Sequence, residues 1–194
     1  MKLYNTLSST KETFSAPGGT VGMYVCGITP YAPSHIGHAM FAVVFDMVRR
    51  YLEFKGYQIK YVQNFTDIDD KMIDAASKEG ISTSELAERN IQTYLREMDA
   101  LNVLPAHVYP RATREIHRIV DMIQVLCDKG FAYAVNGDVY FRVRRDKEYG
   151  KLSKRSPDSG LVGARVEPGE NKEDPVDFAL WKSQNPGEPA WESP

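Results

Sequence analysis

Cysteine is nearly absent: Cys26 and Cys127 are the only two in 194 residues. That is too few for a disulfide framework, and both thiols are expected to be reduced. There is no run of about 18 apolar residues, so no transmembrane helix is expected. The opening MKLYNTLSSTKETFSAPGG has no apolar stretch of signal-peptide type, which makes the cytoplasm the expected compartment and a membrane partner unexpected. Net charge is also small, at −2, and offers no electrostatic case for nucleic acid. One basic run exists, comprising Arg142, Arg144, Arg145, Lys147, Lys151, Lys154 and Arg155, and its simplest reading is a solvated face.

The content of 42 % hydrophobic and 26 % charged residues is that of a globular chain with one substantial core. VGMYVCG reads as a buried strand ended by Gly27 and Pro30. Ser34 can cap a helix starting near His35, with Phe41, Val44, Phe45, Val48 and Leu52 at helical spacing and Gly56 as its terminator. QIKYVQNF is a second strand. Strand, helix and strand make a βαβ crossover, with the two strands expected to be parallel and adjacent or nearly so. DIDDKMIDAASKEG predicts a helix broken at Gly80, and Ser82, Thr83 or Ser84 starts another with Glu85 close behind. LPAHVYPRAT reads as a loop. A helix is expected from about Thr113 to Asp128, then a hairpin turning at Asn136-Gly137. From Lys151 onward the chain is rich in Gly, Pro and charge. It stops at WESP, which has no finished look, and a fragment of a longer protein is expected.

The chemistry concentrates in CGITPYAPSHIGH, residues 26–38, between the first strand and the first helix. His35 and His38 could share a metal, although a structural zinc needs four ligands. They could be plain surface or cap residues. They could also serve a nucleotide, because ligands of open α/β sheets bind beyond the strand carboxyl ends, and a helix N-terminus offers unpaired N–H groups to phosphate. Two imidazoles there can hold the charge that develops when an α-phosphate is attacked. Gly37 leaves room for a flat base against the backbone. Taken alone, Cys26 reads as a small buried hydrophobe. Thr66 could be a helix cap. Asp67, Asp69 and Asp70 suggest magnesium less readily than they suggest a charged first helical turn.

HIGH at 35–38, after a strand and at a helix start, resembles the signature of class I aminoacyl-tRNA synthetases. MYVCGITPY, YVQNFTDIDDKMI, YGKLS, GARVE and DPVDFALWK, in that order along the whole chain, resemble the cysteinyl-tRNA synthetase family. The resemblance implies an α/β fold: a Rossmann-like (HUP-type) parallel sheet forming the first half of a class I catalytic domain, followed by the start of an α+β insertion. It implies a nucleotide-binding half over 1–120 and an incomplete connective insertion over 121–194. The implied reaction joins L-cysteine to AMP using ATP and passes it to tRNA(Cys), with His35 and His38 catalytic and His35, Ile36, Gly37 and His38 at ATP. Gly27, Thr29 and Thr66 would border the amino acid.

Cys26 would be one ligand of a zinc ion, the others lying beyond Pro194, and Mg2+ would accompany ATP. A thiophilic metal makes sense there, because a pocket of ordinary size separates cysteine from serine poorly. KLSKR at 151–155 looks like the second class I signature, but the resemblance assigns it to the insertion. A monomer is expected. Two alternatives stand beside this reading: a related ligase joining cysteine to an amino sugar, and a truncated paralogue that binds nucleotide or tRNA without catalysis.

Overall fold

The computed structural model describes residues 1–160 and 172–193. In chain order the main elements are β1 (Lys2–Asn5), β2 (Thr10–Thr13), β3 (Thr20–Ile28), α1 (Ile36–Phe54), β4 (Gln58–Phe65), α2 (Asp70–Glu79), α3 (Thr83–Ala100), α4 (Ile116–Asp128), β5 (Ala132–Val135), β6 (Asp138–Phe141) and β7 (Phe178–Trp181). They form two compact units. One is Ser15–Ile116; the other combines Met1–Phe14 with His117–Pro194.

Within Ser15–Ile116, β3 and β4 pair in parallel from Thr20↔Gln58 to Ile28↔Phe65, with α1 as the crossover. The segment read as the loop LPAHVYPRAT adds a further parallel edge. Val62 bridges Val108 and Phe65 bridges Arg111, and the N–H groups of Gln63 and Phe65 donate to the carbonyls of Val108 (3.1 Å) and Pro110 (2.8 Å). Pro105 and Pro110 cannot donate to a ladder, which confines this segment to a sheet edge and hides it from composition. The core lies between the sheet and the helices α2 and α3. Phe65, 1 % exposed, stacks on Tyr109 and meets Tyr94 edge-on, beside Met72, Leu86 and Ile91.

Helix α1 departs from its expected face. Its buried residues are Ala42, Asp46, Arg49 and Leu52, while Phe41 and Val44 are exposed. Polar bonds to a loop explain the rotation. Asp46 accepts from Leu104 N–H at 3.0 Å and pairs with Arg50 at 2.6 Å. Arg49 donates to the Pro105 carbonyl at 2.8 Å, and Arg50 to that of Asn102 at 2.7 Å. A buried carboxylate and guanidinium are tolerated because each is fully engaged. The opposite face shows Ile36, Met40, Met47 and Phe54 to solvent.

The helix ends follow the sequence closely in several places. Ser82 caps α3 by accepting from Glu85 N–H, and Gly80 ends α2 in the left-handed region. Expected Thr113–Asp128 is instead a 3-10 turn, Ala112–Arg114, followed by α4 from Ile116. In the second unit β5 and β6 form the predicted hairpin. Asn136 (φ 52°) and Gly137 (φ 89°) are both left-handed, as a type I′ turn requires. β7 adds antiparallel to β6. Asp177, in DPVDFALWK, is buried and accepts from Val143 N–H at 3.0 Å and Tyr133 Oη at 3.0 Å. The hairpin β1–β2 goes beyond the sequence reading; all eight of its strand residues are exposed. GARVE, residues 163–167, lies outside the described residues.

Candidate active site

The site is built at the carboxyl end of β3. In the parallel register Val25 faces Gln63 and Ile28 faces Phe65, so Cys26 and Gly27 together oppose Asn64. This is a bulge, which re-aims the residue it carries. Cys26 is exposed here rather than buried as a small hydrophobe, and its thiol donates to the Gly27 carbonyl at 3.7 Å. Gly27 has no room for a side chain: a Cβ would fall 1.5 Å from the backbone oxygen of Asn64. The Asn64 side chain spans the bulge. Its Oδ1 accepts from Gly27 N–H (2.9 Å) and Tyr24 Oη (2.9 Å), and its Nδ2 donates to Thr66 Oγ1 (3.3 Å).

Two buried side chains hold this exit from behind. Gln63 donates to the Cys26 carbonyl at 3.5 Å and accepts from Tyr94 Oη at 3.3 Å. Burial pushes the Tyr94 phenol up to about 12, which keeps it a donor. Asn90 of α3 donates to the Pro30 carbonyl at 2.7 Å. Thr29, half-buried, accepts through its carbonyl from Tyr31 N–H at 2.9 Å.

Helix α1 is capped by His35, not Ser34. His35 Nδ1 accepts from Gly37 N–H at 3.1 Å, and His38 Nδ1 accepts from His35 N–H at 3.3 Å, a capping box made of two imidazoles. The rings stack, with centroids 3.9 Å apart. Ser34 Oγ is buried without a partner among the described residues. Gly37 serves this cap as well as any ligand, because a Cβ there would lie 2.9 Å from the His35 ring. Ile36, beside it, is 85 % exposed. With both Nδ1 atoms accepting, each neutral ring carries its proton on Nε2. Burial, reinforced by the His35 ring and opposed by Glu97, holds His38 below its ordinary value. It is therefore neutral at pH 7.

The three aspartates have structural employment. Asp67 accepts from Thr113 N–H (3.0 Å) and Oγ1 (2.6 Å), Asp69 caps α2 through Lys71 N–H (2.7 Å), and Asp70 opens the first turn. Thr66 is thus not the cap of α2. Among the described residues no three of His, Cys, Asp and Glu cluster as a metal site. A cavity of about 220 Å3, lined in part by Asp46, Arg49, Tyr61, Gln63 and Tyr94, includes none of the predicted site residues.

The residues that sequence reasoning missed are Tyr24, Gln63, Asn64 and Asn90. One signal was present: Asn is disfavoured within strands, yet Asn64 stands near the end of one.

Comparison with known proteins bears on the family and the fold. Residues 13–194 match the family model described as the catalytic domain of class I (C) tRNA synthetases. A cysteine–tRNA ligase of Dehalococcoides mccartyi is 57 % identical over the whole of this chain, which covers 43 % of that protein. One from Caldicellulosiruptor saccharolyticus is 58 % identical, again over the whole chain and 42 % of its own length. The chain thus spans less than half of these curated relatives. Among solved structures, Mycobacterium tuberculosis methionyl-tRNA synthetase in complex with methionyl-adenylate superimposes with a TM-score of 0.54 at 24 % identity, covering 63 % of this chain and 25 % of that one. That likeness concerns the fold alone. Among the described residues no helix is long and apolar enough to cross a membrane.

Proposed function

Since the chain belongs to the family of class I (C) tRNA synthetase catalytic domains, we propose that the full-length protein containing it is a cysteine–tRNA ligase. It activates L-cysteine with ATP to cysteinyl-adenylate and transfers it to tRNA(Cys). The nucleotide-binding half lies within residues 1–120, and the connective insertion begins after it. The names of the relatives favour tRNA over an amino sugar as acceptor.

The observation that carries this reading is the pair of stacked imidazoles whose Nδ1 atoms are tied to backbone N–H groups at the start of α1. Each is left with one N–H donor, at Nε2, fixed in tautomer at the positive end of the helix dipole. As the cysteine carboxylate attacks the α-phosphate and pyrophosphate leaves, His35 and His38 donate to the phosphoryl oxygens where charge accumulates. Because the rings are already oriented, little reorganisation accompanies the reaction. No side-chain nucleophile is required.

Gly27, Thr29 and Thr66 border the amino acid, Gly27 by allowing close backbone approach. The exposed Cys26 thiol, aimed off the strand by the bulge, fits one position of a zinc ion. When bound, such an ion supplies a thiophilic site that separates a substrate thiol from a hydroxyl. Magnesium accompanies ATP.

The test is cysteine-dependent ATP–pyrophosphate exchange by the full-length protein. Exchange that is stimulated by cysteine but not serine, and lost in Cys26→Ala, is the expected result. Exchange driven by another amino acid would overturn the substrate assignment.

A further inference from the structure

Asn64 is the most heavily bonded side chain at the strand exit, and the orientation of its amide can be deduced. Gly27 N–H can only donate, so the atom facing it at 2.9 Å is Oδ1. The other end is then Nδ2, which can only donate, and Thr66 Oγ1, 3.3 Å away, must accept. The Thr66 hydroxyl hydrogen consequently points elsewhere. It has no other side-chain hydrogen bond among the described residues, so it is available to a ligand as a donor.

We propose that Asn64 is a positioning residue that sets the polarity of the amino-acid pocket. Its carbonyl locks the Cys26–Gly27 bulge, and its amino group turns Thr66 into a hydrogen-bond donor. The pocket therefore presents the Thr66 hydroxyl hydrogen to an acceptor atom of the substrate, its carboxylate or thiolate. The substrate part of this inference rests on the function proposed above; the hydrogen-bond part does not.

The full-length protein separates the two. Asn64→Asp retains acceptors for Gly27 N–H and Tyr24 Oη but replaces the donor to Thr66 with an acceptor. The Thr66 hydrogen then turns back to the carboxylate and is withdrawn from the substrate. Asn64→Asp is expected to raise KM for cysteine about tenfold, as Thr66→Val does, because a bond to a charged acceptor is lost. The double variant Asn64→Asp/Thr66→Val is expected to match Thr66→Val alone within about twofold.

Multiplying effects in the double variant, or a parallel rise in KM for ATP, would mean that Asn64 only supports the scaffold, and would overturn the proposal. A substrate-free measurement decides the bond itself. The Asn64 side-chain amide signals in NMR are expected to shift and exchange faster in Thr66→Val. Unchanged signals would overturn the proposed polarity even in a fully active enzyme. Shifted signals in a protein without cysteine-dependent exchange would support the bond and refute the functional reading instead.

Discussion

Residues 35–38 and 151–155 look alike as sequence: each is a short segment with nitrogen bases that could meet phosphate, His35 and His38 in one and Lys151, Lys154 and Arg155 in the other. Their hydrogen bonds separate them. In the first loop each base spends its acceptor nitrogen on backbone and keeps a donor. In the second each lysine already holds a partner within the fold. Lys151 pairs with Glu148 at 2.5 Å, and Lys154, in the left-handed region at φ 57°, donates to the Leu7 carbonyl at 2.6 Å. A preorganised phosphate site needs donors held in fixed directions; each imidazole is tied to backbone and points one donor, whereas a lysine ammonium swings three donors on a flexible stem. The difference is one of orientation, not of charge, since the second segment is the more basic.

The most severe break in this comparison comes from the imidazoles. His35→Asn keeps the cap, because an Asn side-chain oxygen can accept from Gly37 N–H, yet removes the Nε2 donor. Pyrophosphate exchange by the full-length protein should fall by about 10²–10³, as when one preorganised donor is deleted, with thermal stability nearly unchanged. His35→Ala should show the same loss of exchange plus about 1 kcal/mol of destabilisation by denaturant titration. A His35→Asn protein with full activity would remove the imidazole from the mechanism.

Next in size are the glycines. Gly27 and Gly150 both forbid a Cβ, the first by 1.5 Å against the Asn64 oxygen, the second by 2.1 Å against the Arg155 oxygen and by φ 85°. Alanine at either should cost about 3 kcal/mol of local or global stability, measured by urea unfolding and hydrogen exchange. Only Gly27→Ala should also abolish cysteine activation, since only Gly27 lies in the bulge that carries Cys26. Equal loss of activity in Gly150→Ala would tie the second loop to the chemistry.

These positions also show what could be read from sequence. The β3–α1–β4 crossover and the Asn136-Gly137 hairpin were legible because periodicity and turn residues are local signals. The cap was misassigned to Ser34 because cap preferences favour hydroxyls over imidazole, whereas here a second ring completes the box. The inner face of α1 was misplaced because Asp46 and Arg49 are buried by partners some fifty residues away, and no helical spacing reports that. The β1–β2 hairpin has no buried side to impose alternation. At the site, Cys26, Gly27 and Thr66 came from resemblance. Asn64, which links Gly27 to Thr66, needed coordinates, because its role exists only across two strands.

A smaller effect tests the second loop directly. Lys154→Ala removes an exposed bond to Leu7 and should cost less than about 1 kcal/mol. Exchange should stay within about twofold of the unsubstituted protein, against the hundredfold losses at His35. A comparable loss on the lysine side would make 151–155 a working phosphate loop after all.

The finest difference between the loops is their response to acid. Burial, helped by the neighbouring His35 ring, keeps His38 below its ordinary value when folded. In the unfolded chain it returns to about 6.5. Between those two values the unfolded state binds more protons, so stability rises with pH through that window. The contribution is fully present above about 6.5 and disappears as pH falls through the folded value. The cap adds a second reason for the same sign: His38 Nδ1 accepts from His35 N–H only while unprotonated, so acid removes one arm of the capping box. Urea midpoints measured from pH 8 to 5 should therefore decline on the acid side. His38→Asn should flatten the decline, and Lys154→Ala should leave it intact. A decline that survives His38→Asn would place the titrating group elsewhere and leave the capping box without its acid sensitivity.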